Sequence, residues 1–396
     1  MQILFSTRKP YFYADYQSNI FIVFGKNFLW ELEVKHFPRM PMAIVSAILL
    51  SACISGVSRA NPPAPREVLS RPLVQRSADL ILKHQASDGA ITMGEVRPSP
   101  AVNDISPYCA NLAGIGLMSA YRYLRDRRYL QAAEKWVRWY EDHIGSDGVI
   151  EDYKGQPGSW QSTGHYDSTD SYASTWLDLV QKIYQAGSGR RWLQARWNSV
   201  TKIAGAMELT RQSNGMTWAT PKWPVMYAMD NIETSRGIEA AIRIGTELGH
   251  KDFAIKECAW RDQLNASFEN ILWNPTIKRY AVGVQSDGSI VPFKGEWYPS
   301  GMADIMAVAW KPLNVRSREL YESMRKTYGL PLKCETGDDM KQIAFWLMAA
   351  RRVGAVGDTI KLMKVLVNAS DSVWENQYPD VLGFICRGSI PKSTEK

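Results

Sequence analysis

The sequence predicts an all-α protein built as a closed ring of helical hairpins, and three observations carry that expectation. From residue 67 onward, helical patterns follow one another with little that reads as strand. These segments alternate between helices that are apolar almost all round and helices that are amphipathic. Short turns of one type, Ser87-Asp88-Gly89, Ser146-Asp147-Gly148, Ser213-Asn214-Gly215 and Ser286-Asp287-Gly288, each follow an amphipathic helix, giving a loose period of about two helices. A ring of hairpins produces this alternation, because its inner helices touch protein on both sides and its outer helices on one. An α-solenoid would give a similar text, but with repeats more uniform in length.

The chain has 396 residues, 45% of them hydrophobic and 22% charged, enough for one large core. Its net charge of +7 is spread over Lys and Arg that mostly neighbour Asp or Glu, with no run of five, which argues against a nucleic-acid partner. Residues 1–39 show no clear period and read as sequence upstream of a mature protein. From Met40 or Met42 the run Ala43-Ile44-Val45-Ser46-Ala47-Ile48-Leu49-Leu50 is too short to span a bilayer but suits a signal-peptide core. It ends in Leu50-Ser51-Ala52-Cys53, which resembles the lipobox of bacterial lipoproteins, with Cys53 as the lipidated residue; a cut after Ser58-Arg59-Ala60 would instead release a soluble protein. Both imply export to the periplasm or outer membrane. The expected organisation is therefore an export segment to residue 60, a Pro-rich tether over 61–66, a helical domain over 67–385 and a tail over 386–396. Of the other cysteines, Cys109, Cys258, Cys334 and Cys386 are widely spaced, which predicts buried thiols, leaves room for one bridge and argues against zinc. No metal or cofactor is expected, and a monomer is.

Element by element, residues 67–85 form a first outer helix. Residues 107–124, rich in Ala, Gly, Leu and Met, form a buried inner one, and 128–143 carry Leu130, Ala133, Trp136, Val137 and Tyr140 opposite a charged face. The alternation continues with inner segments at 170–186, 231–248, 301–310 and 339–353 and outer ones at 190–211, 251–272, 315–328 and 356–368. Five outer-to-inner pairs result; a sixth needs the short stretch from Asp380 to Ile385.

Chemistry is sought where the inner helices begin, since in such a ring they all run the same way and their starts converge on one mouth. The five lead-ins are Asn103-Asp104-Ile105-Ser106-Pro107-Tyr108, Tyr166-Asp167-Ser168-Thr169-Asp170, Tyr227-Ala228-Met229-Asp230-Asn231-Ile232-Glu233, Trp297-Tyr298-Pro299-Ser300-Gly301-Met302-Ala303-Asp304 and Glu335-Thr336-Gly337-Asp338-Asp339. Each carries an acid and four carry an aromatic residue. A single Asp at a helix start is an ordinary cap. Five acidic lead-ins around one mouth suggest more. The chain has 15 tryptophans, several in or beside loops, where aromatic rings can stack on sugar faces.

With these residues in view, the chain resembles the six-hairpin glycosidases, the (α/α)6-barrel superfamily of glucoamylase-like and unsaturated glucuronyl hydrolase-like enzymes. The resemblance rests on Asp167-Ser168-Thr169-Asp170-Ser171-Tyr172-Ala173, on Asp230-Asn231-Ile232-Glu233 with Gly237, and on Trp297-Tyr298-Pro299. It rests also on Leu272-Trp273-Asn274-Pro275 leading through Arg279-Tyr280 to Ser286-Asp287-Gly288, which is similar to a β-hairpin insertion of that superfamily. It implies a glycoside hydrolase acting on a poly- or oligosaccharide, with one protonated and one ionised carboxyl group. Asp170 and Asp230 are the first candidates and Asp167 and Glu233 the reserves. Tyr166, Trp218, Trp223, Trp297, Tyr298, Asp304 and Asp338 are candidates for binding sugar. Arg236 and His165 can meet a substrate carboxylate or pair with an acid. Two alternatives stand beside this: a polysaccharide lyase on the same toroid, using His165 or Tyr166, and a non-catalytic glycan-binding surface lipoprotein.

Overall fold

The structure is a computed structural model that describes three strands within residues 12–32, and residues 65–311 and 315–391. The chain divides into two units, at Met1–Pro63 and Ala64–Lys396. In the first, β1 (Phe12–Ala14), β2 (Ile20–Phe24) and β3 (Phe28–Leu32) pair as an antiparallel meander. The export run and Cys53 lie outside the described residues.

The second unit contains, among its described residues, twelve helices of nine residues or more. The outer set is α1 (Pro65–Lys83), α3 (Arg127–His143), α5 (Trp197–Glu208), α7 (Lys251–Ser267), α9 (Val315–Tyr328) and α11 (Val356–Val367). The inner set is α2 (Pro107–Leu124), α4 (Thr169–Ile183), α6 (Ala228–Leu248), α8 (Met302–Trp310), α10 (Gly337–Val353) and α12 (Pro379–Ser389). Each inner helix packs on the next, and α12 packs on α2, so the ring closes. The sixth inner helix that the sequence left incomplete is thus present, and it runs to Ser389, four residues past the expected domain end. It is short and buried almost throughout, and α1, the outer helix packed against it, lies at the other end of the sequence. Closure is tight where Gly116 of α2 meets Gly383 of α12, since a Cβ at Gly116 would lie 2.3 Å from the Gly383 Cα. Trp136, Trp176, Trp260, Trp346 and Phe384 are among the large side chains fully buried in the layer between and within the rings.

The recurring Ser-Asp/Asn-Gly turns share one geometry. Asp88, Asp147, Asn214 and Asp287 each accept a hydrogen bond from the backbone N–H two residues on, at 3.2, 3.0, 2.9 and 2.8 Å. The following glycines have φ of +102°, +83°, +84° and +82°, the left-handed region that only glycine enters cheaply. Three of these turns also press on the next outer helix: a Cβ at Gly89 or Gly148 would meet the carbonyl oxygen of Lys135 or Lys202 at 2.8 or 2.3 Å, and one at Gly215 would meet Gln263 at 2.9 Å.

Small strands dress the end of the ring where the inner helices begin. β4 (Asn103–Ile105), β5 (Tyr153–Gly155) and β6 (Gln161–Ser162) form one antiparallel sheet. The expected insertion is more elaborate than one hairpin: β8 (Trp273–Asn274) pairs with β9 (Arg279–Tyr280), and β10 (Gly283–Gln285) pairs both with β11 (Ile290–Val291) and with β7 (Val225–Tyr227). Since β7 runs straight into α6, the insertion braces the start of the helix that carries Asp230.

Candidate active site

At the start of α4 the sequence builds a cap and then a buried polar knot. Ser168 caps the helix by accepting from Ser171 N at 3.1 Å. Asp170, fully buried in the first turn, accepts from Ser168 Oγ at 2.6 Å, Ser171 N at 2.8 Å and Thr217 Oγ1 at 2.5 Å. Thr217 N in turn donates to Asn231 Oδ1 at 2.8 Å, and Asn231 Nδ2 donates to the carbonyls of Thr217 and Tyr227 at 3.0 and 2.9 Å. The knot therefore ties α4, the loop after α5 and the start of α6 into one unit, leaving Asp167 outside the helix and exposed, and Asp230 one residue before Asn231.

Two adjoining cavities, of about 490 and 180 Å³, share Asp167, Met229, Asp230 and Tyr298 in their walls. The wider one is flanked by the rings of Tyr166, Trp223, Tyr227 and Tyr298. The narrower one lies between the inner helices, all six of which contribute to its wall, with Tyr108, Ser168, Ser171, Tyr172, Lys341 and Asp380 as its further polar groups. Tyr108 Oη donates to Glu233 Oε1 at 2.8 Å, and Tyr172 Oη donates to Asp152 Oδ1 at 2.8 Å.

The electrostatics of this mouth separate its acids. Burial, followed by the like charges of Asp170, Glu233 and Asp167, holds the Asp230 carboxyl well above the usual carboxylate range. Burial also pushes Glu233 up to about 8, Asp170 to about 6 and Asp152 to about 6. A carboxyl with a raised pKa thus lines the cavity at Asp230, in the same wall as the exposed carboxyl of Asp167.

No family model matches the sequence, and no curated protein does. Solved structures do. An alpha-amylase from Clostridium perfringens superposes with a TM-score of 0.56 at 9% identity, covering 81% of this chain and 97% of its own. The chain has the fold of the six-hairpin glycosidases. A cellobiose 2-epimerase from Spirochaeta thermophila matches at TM-score 0.55 and 12% identity, over 83% of this chain and 98% of its own. An alpha-1,6-mannanase variant from Salegentibacter sp., in complex with alpha-1,6-mannotriose, matches at TM-score 0.52 and 10% identity, over 82% and 98%.

Within this six-hairpin barrel the candidate residues divide. Asp167, Asp230, Tyr166, Trp223 and Tyr298 line the mouth. Asp170 does not reach it: its oxygens are consumed by the polar knot, and it acts on Asp230 through its charge. Glu233 is buried behind Tyr108. Asp304 is fully buried, accepting from Tyr280 N at 3.0 Å and lying 3.4 Å from Arg279 Nη1, so it anchors the insertion and lines neither cavity. Asp338 is exposed in the first turn of α10, and Lys341, one turn further, faces the cavity in its place. Trp297 stacks on Trp346 and packs edge-on to Tyr328, and Trp218 packs half-buried against the core, so neither offers a ring to the mouth. Arg236, near the middle of α6, pairs with Asp178 at 2.9 Å, and His165 is exposed on a neighbouring cavity shared with Tyr166. The described cysteines Cys109, Cys258, Cys334 and Cys386 are free thiols.

Sequence reasoning missed Tyr172, Lys341 and Asp380 as mouth residues. Asp380 had a signal, because Tyr378-Pro379-Asp380 repeats the aromatic-plus-acid pattern of the other lead-ins. Lys341 had none, since only the helical phase of α10 decides which side chain faces inward.

Proposed function

We propose that this protein is a glycoside hydrolase acting on a poly- or oligosaccharide, with Asp230 as the general acid and Asp167 as the carboxylate that activates water or meets the developing positive charge. The observation that carries this reading is the pairing, in one aromatic-walled cavity, of a carboxyl whose pKa is raised by its surroundings with a second, exposed carboxyl. A protonated Asp230 delivers its proton to the glycosidic oxygen as the bond to the anomeric carbon breaks; Asp167 serves the opposite face of the sugar. Trp223 Nε1 donates to Tyr227 Oη at 3.1 Å, which fixes two of the rings on which a sugar would lie. The known activities of proteins with this fold, which span hydrolases and an epimerase, support a carbohydrate substrate.

The test is a polysaccharide panel assayed for new reducing ends, with Asp230→Asn and Asp167→Asn alongside the wild type. Each variant should lose about 10² to 10⁴-fold in kcat while keeping its circular dichroism spectrum. A product absorbing in the ultraviolet would instead identify a lyase. Unchanged turnover in both variants would sink the assignment, and glycan binding with no turnover by the wild type would leave a binding protein.

A further inference from the structure

The narrower cavity at the mouth is a cup with a polar rim and an apolar floor, and helical phase builds it. Three inner helices each contribute two side chains four residues apart, hence on one face and one turn apart in depth. They are Met302 and Met306 of α8, Lys341 and Phe345 of α10, and Asp380 and Phe384 of α12. The deeper member of each pair is apolar and buried. Phe345 packs on Phe384 with ring centroids 4.6 Å apart, and Phe384 on Trp310 at 5.8 Å. Beside them α2 and α12 are in backbone contact, since a Cβ at Gly383 would lie 2.5 Å from the Leu112 carbonyl oxygen. The ring is plugged beneath the cup, so a chain that enters it ends there.

Size sets how much enters. The cup's volume of about 180 Å³ equals that of about six waters in the liquid, the scale of one sugar ring, whereas the adjoining cavity of about 490 Å³ holds more than twice as much. Asp167 and Asp230 stand in the walls of both. A bond cleaved between these two carboxyls therefore lies at the junction, with one unit in the cup and the rest of the chain beside Trp223, Tyr227 and Tyr298.

The cup also holds a group left without a partner. Asp380 is 3% exposed, and its Oδ1 accepts no hydrogen bond. Burial raises its pKa, and the charge of Lys341, the Val381 backbone amide and the Cys109 thiol oppose that rise. A buried carboxyl oxygen that nothing satisfies is costly, and a sugar hydroxyl donating to it recovers the cost. Lys341 donates where Asp380 accepts, so the two suit hydroxyls of one ring. Apart from the shared Asp167 and Asp230, the wider cavity has no charged lining residue. One lysine among three acids also disfavours an anionic sugar.

We propose that the cup is the subsite of a single neutral sugar at the non-reducing end of the substrate, held by Asp380 and Lys341, so that the enzyme releases one monosaccharide at a time. The proposal rests on the glycosidase reading. The non-reducing end follows because hydrogen bonds to the sugar whose anomeric carbon reacts are the ones that strengthen in the transition state, and the charged groups that can make them stand in the cup. The oxygen of water joins that anomeric carbon, the proton of Asp230 goes to the oxygen of the departing chain, and a proton of the water returns to the carboxyl pair.

Hexasaccharides of the panel glycans, fluorescently tagged at the reducing end, test it. We expect free monosaccharide from the earliest time points and tagged products that shorten one unit at a time. Asp380→Asn should lower kcat/KM about tenfold to a hundredfold and Lys341→Met about tenfold, while Glu375→Gln, exposed on the segment before α12, changes nothing. Tagged dimers and trimers at the outset, or a tagged monosaccharide released first, overturn the proposal and leave hydrolysis standing. Faster release from uronate-ended than from neutral hexasaccharides overturns it too, as does a kcat/KM unchanged in both cup variants. Should Asp380→Asn fail to fold, Lys341→Met and the wild-type product ladder decide. A wild type that shortens no hexasaccharide overturns the hydrolase reading and this proposal together.

Discussion

Three carboxyl groups that feel one another's charge, Asp167, Asp170 and Asp230, end up with three different tasks, and hydrogen bonding decides which. Asp170 spends its oxygens on Ser168, Ser171 and Thr217; Asp167, three residues earlier, lies outside the helix; Asp230 is half-buried at the cavity wall and lifted by the charges of both. Asp170→Asn separates charge from contact. The amide nitrogen cannot accept what a carboxylate oxygen accepted, so the variant should lose about 1 to 3 kcal/mol of stability in urea denaturation. It should retain turnover, in contrast to Asp230→Asn. Removing a negative neighbour also lowers the Asp230 pKa, so the alkaline limb of kcat/KM should move to lower pH in Asp170→Asn; a limb that stays in place would show that Asp230 is not the acid. The acidic lead-ins were legible in the sequence, but their facing was not. Asp170 and Asp167 look equally suited to a mouth until Thr217, brought in from 47 residues away, claims one of them.

Among the elements, the most legible were the repeated turns, because their chemistry is local. An Asx side chain bonding two residues on, followed by a glycine at positive φ, needs no tertiary context. What the sequence could not show is that the turns dock. Gly148 combines φ of +83° with a Lys202 carbonyl 2.3 Å from where a Cβ would sit. Gly148→Ala should therefore cost more than the ordinary penalty of a left-handed alanine, on the order of 2 to 4 kcal/mol, read as a fall in the denaturation midpoint with unchanged m-value. Gly288→Ala serves as the internal comparison: its φ is similar but no atom lies within 4 Å, so it should lose only the conformational part, about 1 kcal/mol. Equal losses at the two positions would mean that docking contributes nothing. The twelfth helix was illegible for the opposite reason. Pro379–Ser389 is only 11 residues long, holds two glycines, and packs on α2 and α1 from the far end of the chain.

At the scale of the whole molecule, the ring is a device for burying acids, and that gives its stability a direction in pH. Burial raises Glu233 to about 8, Asp304 and Glu257 to about 7, and Asp170 to about 6. A carboxyl whose folded pKa exceeds its unfolded one favours folding fully below the unfolded value, near 4, and loses that contribution as pH rises through the folded value. The main opposing groups act at lower or higher pH: Asp178, held below the usual carboxylate range, weakens the fold only in strong acid, His84, lowered to about 4, weakens it only below about pH 6.5, and Lys182, lowered to about 8, makes stability rise with pH only from about pH 8 upward. Between about pH 6.5 and 8 the raised acids dominate, so Tm should fall across that interval at constant ionic strength. Glu257 isolates the effect away from the mouth. It lies on the outer helix α7, fully buried, and neither carboxyl oxygen has a hydrogen-bond partner; burial and the charge of Glu208 raise it, partly offset by Lys256 and Arg211. Glu257→Gln keeps the shape and removes the ionisation. It should match the wild type near pH 5, where Glu257 is protonated anyway, and exceed it in Tm near pH 8, since each unit of separation between pH and a raised pKa costs the wild type about 1.4 kcal/mol. A Glu257→Gln protein that is no more stable than the wild type at pH 8 would show that Glu257 finds water or a counter-charge when it ionises, and that the ring does not hold it dry.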